Sequence, residues 1–174
     1  MRNKRLIWCA LLAMAGCAPS LQVYTHTARN ASFKGLHTFA IGSAEEAPRG
    51  YRRGSVASKV ISVVAADVES ELTAKGLEQV SIESSDLVVR LGVGQRHKEE
   101  TPLQQTDSTG DQVTVVDPDG PFNYTEQELV IDVFQGRTNH RLWHGAAREI
   151  IEPGEVDDAA LNHAVRRLLV DFPG

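Results

Sequence analysis

Five stretches of the chain alternate apolar and polar residues, the period of a strand with one buried face. LQVYTHT and HTFAIG, at residues 21–27 and 37–42, come first. SDLVVRLGVG follows and places four aliphatic side chains on one face: Leu87, Val89, Leu91 and Val93. QELVIDVF and HRLWHGAAREII are separated by QGRTN, whose composition is typical of a hairpin. We therefore predict two short strands, a longer strand and a C-terminal hairpin.

Two further stretches have a period of about 3.6 residues, which indicates amphipathic helices. In the first, aliphatic residues recur along one stripe from Val56 to Leu72. Ser55 is placed to cap its start, and Gly76 can end it in the left-handed conformation. The second, EVDDAALNHAVRRLLVDF, has acidic residues at its start and Arg166 and Arg167 near its end, as the helix dipole prefers.

This order of elements predicts an α+β domain over residues 21–174. We expect a two-layer sandwich, in which a mainly antiparallel sheet of four to five strands carries two helices on one face. Alternation along the hairpin places Trp143 in the core and His144 outside, and Gly145 would permit a helix to approach closely. Asp132 points to the face opposite its apolar neighbours, either as a structural residue or as part of a binding site.

Residues 97–125 form a polar insertion that fits neither layer. Within it, only QVTVV has the pattern of a short strand. Loops of this length in a compact domain are usually functional or disordered. Two interpretations follow, a recognition element and an ordinary surface loop.

The N-terminus has the pattern of an export signal. Arg2, Lys4 and Arg5 precede an uncharged run that is shorter than the roughly 20 residues needed to span a membrane. The run ends in Met-Ala-Gly-Cys, which resembles the bacterial lipoprotein box. That resemblance implies that residues 1–16 are a signal peptide, that Cys17 carries the lipid, and that residues 17–20 are a tether. The alternative is an ordinary signal peptide with a chance cysteine near its cleavage site.

Lipidation at Cys17 would anchor the protein to a membrane without a spanning helix. One acyl chain gives only reversible binding, whereas several hold a protein firmly. Ala18 stands where lipoproteins of enteric bacteria that stay in the inner membrane carry aspartate. The resemblance therefore favours the outer membrane, facing the periplasm, over the inner membrane.

Charge and cysteine content exclude several functions. Removing Arg2, Lys4 and Arg5 with the signal lowers the 18 basic residues to 15 against 23 acidic ones, so the formal net charge changes from −5 to −8. Such a domain lacks the basic surface that nucleic-acid binding requires. Cys9 leaves with the signal and Cys17 is consumed by lipid, so no disulfide or thiolate chemistry is expected.

No catalytic, cofactor-binding or metal-binding constellation can be recognised. His140 and His144 have a spacing that binds zinc on a helix. On the predicted strand, however, they would lie about 13 Å apart, too far to share one ion. A Ser-His-Asp triad has no family signature here. We therefore do not expect an enzyme.

Several motifs together resemble one family of lipoproteins. They are FKGLHTFAIG, LTAKGLEQV, SDLVVRLGVG, YTEQELVIDVFQGRTNHRLWHGAAREI and VRRLLVDFPG. This order resembles the lipoproteins grouped as the domain-of-unknown-function 4136 family, over residues 21–174. The resemblance implies the α+β fold and a cell-envelope location, and it supplies no catalytic residues.

The leading functional hypothesis is a lipid-anchored binding or assembly module that contacts another envelope component, most simply a protein. A second is a periplasmic carrier of a small apolar ligand, which needs an enclosed pocket of about 300 Å³ or more between sheet and helices. A third is a hydrolase, which needs titratable groups converging in a cleft.

Overall fold

The computed structural model describes residues 21–99, 104–106, 112–114, 123–151 and 157–174. The predicted signal peptide (1–16) and the lipidation site and tether (17–20) lie outside the described residues, as does part of the polar insertion. Within the described ranges, no helix is both long and apolar enough to cross a membrane.

The described residues form a two-layer α+β fold. Its strands are β1 (Gln22–Thr27), β2 (Thr38–Ile41), β3 (Glu78–Gln79), β4 (Leu87–Glu99), β5 (Gln104–Thr106), β6 (Gln112–Thr114), β7 (Asn123–Gln135) and β8 (Arg141–Ile151). Its helices are α1 (Ala57–Ala74) and α2 (Asp158–Leu169), with a 3₁₀ turn at Ile82–Ser84. Six strands form one sheet in the order β1-β8-β7-β4-β2-β3, while β5 and β6 pair separately.

The sheet is mixed and has more strands than expected. β1, β8, β7 and β4 pair antiparallel, whereas β2 is parallel to both β4 and β3. The predicted α+β class with two helices is confirmed, but the prediction of four to five strands is wrong. β3 has only two residues, too few to show a period. β2 is parallel to β4 because α1 carries the chain back across the sheet between them.

The polar insertion is shorter than its sequence indicates. Residues 97–99 continue β4 and residues 123–125 belong to β7, so that Lys98 pairs with Tyr124. Backbone pairing extends into this polar sequence because it needs no apolar side chains. The strand expected in QVTVV is present at 112–114, paired with 104–106. The other residues of the insertion lie outside the described ranges.

The core lies between one face of the sheet and the two helices. Alternate residues of the long central strands supply the sheet side: Leu87, Val89, Leu91, Val93, Leu129, Ile131 and Val133. The helices supply the other side: Val60, Val64, Val68, Leu72, Ala164, Val165, Leu168 and Leu169. The two predicted amphipathic stripes therefore bury the same sheet face.

Trp143 is the largest fully buried side chain in the described part of the chain. Its ring lies against Gly145 and meets Phe172 edge-on, with 5.5 Å between ring centroids. A side chain at position 145 would stand only 3.1 Å from a methyl of Leu168, which confirms the expected role of this glycine. Burial of a large aromatic ring contributes strongly to stability.

The helix ends follow local signals, with one exception. Gly76 has a φ of +92°, and the Leu77 N–H donates to the carbonyl of Leu72, so Gly76 ends α1 as predicted. At the start of α2, Asp157 accepts a hydrogen bond from the Ala159 N–H at 2.8 Å. Ser55 does not cap α1: the helix begins at Ala57, whose N–H is already satisfied by the carbonyl of Gly54.

Asp86 fixes the short strand β2 to the start of β4. Its Oδ2 accepts hydrogen bonds from the backbone N–H groups of His37 and Thr38, at 3.0 and 3.1 Å, and from the Thr38 hydroxyl at 2.9 Å. The His37 N–H is the largest contributor among these bonds, which together hold the pKa of Asp86 below its usual value. The carboxylate thus compensates for the small number of residues in β2.

We predict that Trp143→Ala lowers the free energy of unfolding by about 3–5 kcal/mol, the usual cost of truncating a buried aromatic ring. His144→Ala, on the outer side of the same strand, should cost about 1 kcal/mol, the net value of one hydrogen bond. Urea denaturation of both variants measures the difference. Equal midpoints for the two would contradict the assignment of the strand's faces.

Candidate functional site

The sheet face turned away from the helices, here called the open face, carries rows of charged side chains. Cross-strand pairing places Arg90 opposite Asp132, and Asp132 opposite His144. A second row places Glu128 opposite Arg148, whose side chains bond at 2.8 Å. The prediction that Asp132 and His144 face away from the core is confirmed, and the structure brings the two together.

The Asp132 side chain is nearly buried and forms hydrogen bonds with a cationic neighbour, Arg141, and an ionisable one, His144. Its Oδ1 accepts from Nδ1 of His144 at 2.8 Å and from Nη1 of Arg141 at 3.1 Å. The Asp132 side chain is 6% exposed, whereas that of His144 is 24% exposed. The carboxylate therefore orients the imidazole through Nδ1 and leaves Nε2 for a ligand.

Arg90 is held in place by three groups. Its guanidinium lies 4.4 Å from the centre of the Phe134 ring and donates to the side-chain oxygen of Asn139 at 2.7 Å. Its Nη1 is 3.6 Å from a carboxylate oxygen of Glu45. A guanidinium fixed in this way loses little conformational freedom when it binds a ligand.

Residues 43–54, here called the covering segment, run along β4 beyond the end of β2 and over the open face. Arg52 and Gln95 exchange two backbone hydrogen bonds of 2.9 Å. Gly94 has no side chain where Tyr51 packs: a Cβ there would stand 2.5 Å from the Cβ of Tyr51. Gly92, on the same face, would meet the carbonyl of Glu46 at 3.5 Å. Glycine within a strand typically marks such a close approach.

A cluster around Glu126 fixes the far end of the covering segment. The Tyr51 hydroxyl donates to the Glu126 carboxylate, which also accepts from Arg96 at 2.7 Å and from Lys98 at 2.8 Å. Burial opposes ionisation of Glu126, but the hydrogen bonds from Lys98, Tyr51 and Arg96 outweigh it and lower its pKa to about 2. Burial and the bond to Glu126 raise the pKa of Tyr51. The segment is therefore tied to the sheet by an ionised carboxylate.

An open groove of about 610 Å³ lies between the covering segment and the sheet. Its wall is residues 43–49, and its floor and opposite side are Arg90, Gly92, Val130, Asp132 and His144. The volume lies within the range of small-molecule sites, roughly 300–1,000 Å³. Because the groove holds both hydrogen-bond donors and acceptors around a small apolar floor, it is the candidate binding site.

Other parts of the described structure are weaker candidates for a ligand, metal or catalytic site. The space between sheet and helices near Leu21 and Leu161 measures only about 30 Å³. His140 is exposed in the hairpin turn, and the described residues contain no group of three or more His, Cys, Asp or Glu side chains placed to hold a metal. Ser43 lines the groove, yet no hydrogen bond joins it to His144 among the residues described.

The groove itself was not predicted from the sequence. Tyr51 and Glu126 are 75 residues apart, and no local pattern connects them. One signal was present: Gly92 and Gly94 are two residues apart in a strand, which leaves two adjacent places bare on one face. Such a pair indicates that another part of the chain lies there.

The family described as a domain of unknown function (DUF4136) matches residues 23–174. The match covers most of the chain, and the chain therefore belongs to this family. The resemblance seen in the sequence motifs is confirmed. No curated protein matches the chain.

Three solved structures are similar to this chain at low sequence identity. A PDZ domain protein from Parabacteroides distasonis superposes with a TM-score of 0.57 at 18% identity, covering 89% of this chain and 36% of that protein. This chain thus spans about a third of that protein's length. A DUF4136 family protein from Bacteroides thetaiotaomicron has a TM-score of 0.47 at 15% identity, covering 88% and 96% of the two chains. The PelC dodecamer from Paraburkholderia phytofirmans has a TM-score of 0.47 at 9% identity, with coverages of 86% and 95%.

We predict that Glu126→Gln destabilises the protein at neutral pH by about 1.5–3 kcal/mol, the value of hydrogen bonds to a buried charged group. The folded pKa of about 2 lies below the ordinary value of 4.5. The stabilisation is therefore complete above pH 4.5 and is lost as the pH falls towards 2. Urea denaturation of wild type and variant across this range measures it. A difference between them that does not change with pH would contradict this assignment.

Proposed function

We propose that this protein is a lipid-anchored cell-envelope protein that binds another envelope component through the open face of its sheet. The single observation that carries the proposal is the groove of about 610 Å³ beneath the covering segment. Its position on the face that the helices leave uncovered makes it accessible. We place the protein on the periplasmic side of the outer membrane.

Preorganisation supports a binding role for the open face. Arg90 is fixed by Phe134, Asn139 and Glu45, and His144 is fixed by Asp132. Side chains that are already ordered bind with a smaller entropic cost than mobile ones.

The N-terminal sequence supports the anchor. We propose residues 1–16 as signal peptide, Cys17 as the lipidated residue, 17–20 as tether, and 21–174 as a single domain. Gln22 begins β1 five positions after Cys17, and five residues span at most about 18 Å. The lipid would therefore hold this edge strand close to the membrane surface.

The two alternative functions are supported unequally. A carrier of an apolar ligand between sheet and helices is disfavoured, because the space there is about 30 Å³. A hydrolase is a second candidate, favoured by the Asp132–His144 pair at 2.8 Å in a cleft. It lacks the hydrogen bond between nucleophile and base that covalent catalysis needs, as far as the described residues show.

We predict that Cys17→Ser abolishes incorporation of labelled palmitate and moves the protein from the membrane fraction to the soluble periplasmic fraction. Without the thiol, no diacylglycerol can be attached, and this apolar surface is lost. Metabolic labelling and fractionation measure both effects. Palmitate labelling that persists in the variant would rule out the lipoprotein box.

We predict that a photo-crosslinking residue at position 44 traps an envelope component in intact cells. Ala44 is exposed and lines the groove, whereas Ala66 is an exposed alanine of α1 on the opposite side of the molecule. Position 66 is the matched control and should trap nothing specific. Equal products at both positions would contradict a binding role for the open face. Products at Val115 alone would assign that role to the polar insertion.

A further inference from the structure

The charges around the groove are of both signs. Two guanidinium groups line it, Arg49 and Arg90, and two more bond to its lining: Arg141 to the Asp132 carboxylate and Arg53 to the carbonyl of Glu45. Three carboxylates line it, Glu45, Glu46 and Asp132. A cleft with one dominant sign of charge concentrates ligands of the opposite sign. This groove has no such excess, which favours a ligand that is polar and uncharged.

The floor of the groove offers side chains and no free backbone. Gly92 and Val130 pair with each other across β4 and β7, and His144 of β8 pairs with Asp132 of β7 and with His26 of β1. Their N–H and C=O groups are therefore used within the sheet. Extended peptides are commonly recognised through the backbone of an open strand edge. This floor therefore offers a ligand side chains instead of backbone groups.

The side chains that line the groove provide the hydrogen-bond donors and acceptors that hydroxyl groups need. Carboxylates accept two hydrogen bonds and guanidinium groups donate two in a fixed planar geometry, while each hydroxyl both donates and accepts. Nε2 of His144 adds a further partner, since Nδ1 is bonded to Asp132. Gly92 and Val130 between these groups give an apolar patch that suits the C–H face of a sugar ring.

We propose that the groove binds an uncharged, hydroxyl-rich saccharide. The inference rests on the proposed function and names the ligand class for the same surface. Charged neighbours surround a small apolar floor, and the volume of about 610 Å³ accommodates a short segment of such a chain.

The test is a titration of the full chain carrying Cys17→Ser with three neutral trisaccharides, chitotriose, maltotriose and cellotriose, followed by NMR. At least one of them should shift amide signals of residues 43–49 and of β7 and β8 beside Asp132 and His144. Trigalacturonate, an acidic trisaccharide, should bind more weakly. Stronger binding of trigalacturonate would overturn the assignment of an uncharged ligand.

Gly92→Val supplies the blocking variant. A Cβ at this position meets its nearest atoms at 3.5 and 3.7 Å, which are ordinary contacts, so the strand accommodates a β-branched residue while the groove floor is filled. We expect an affinity loss of about tenfold or more. Should Gly92→Val fold poorly, the second variant is Glu45→Gln, which replaces one hydrogen-bond-accepting oxygen of the groove wall with an amide. Glu69→Gln, at an exposed position of α1, is its matched control.

The outcomes separate this inference from the proposed function. If the probe at position 44 traps an envelope component but none of the three neutral trisaccharides binds, the saccharide assignment is wrong and the binding role of the open face stands. The same conclusion follows if the trapped component is a peptide or protein and the trisaccharides do not shift the amide signals of the groove. If position 44 traps nothing and none of the three neutral trisaccharides binds, both fail together. Saccharide binding that is unaffected by Gly92→Val and by Glu45→Gln would also overturn the inference.

Discussion

The ionised carboxylate of Glu126 determines the shape of the open face. It joins Tyr51 of the covering segment to Arg96 and Lys98 of β4, and the Arg96 guanidinium also lies 4.7 Å from the centre of the Tyr51 ring. Removing a carboxylate from water is costly, and here three donors compensate that cost, so its pKa falls to about 2. Because the segment forms one wall of the groove, this charged group contributes to holding that wall in place.

The two faces of the sheet have different physical roles. On the helix side, Trp143 and the aliphatic residues of β4 and β7 pack against the helices, and the pocket that the described residues form near its edge measures about 30 Å³. On the open side, charges pair across strands and glycines at 92 and 94 admit the covering segment. The same strands thus stabilise the fold with one set of alternate residues and form the candidate binding site with the other. The family match identifies the fold, whereas function depends on the site formed on it.

The elements that local patterns determine were predictable. Helical spacing located α1 and α2, Gly76 marked a helix end, and alternation separated Trp143 from His144. The parallel placement of β2 was not predictable, because it depends on the path of α1 across the sheet. The Tyr51–Glu126 contact depends on residues 75 positions apart, and the covering segment carries no period that distinguishes it from an ordinary loop. The Gly92 and Gly94 pair was the one sequence feature that pointed towards the groove.

The Glu126 cluster holds the covering segment against the sheet, and amide hydrogen exchange of Tyr51→Phe tests this attachment, because the change removes only the hydroxyl that bonds Glu126. The backbone N–H groups of Arg52 and Gln95, which bond each other's carbonyls at 2.9 Å, report on the attachment, and Ile131 in central strand β7 reports on the sheet. We predict faster exchange at Arg52 and Gln95 with unchanged exchange at Ile131. Unchanged exchange at all three amides, or an equal increase at all three, would contradict it.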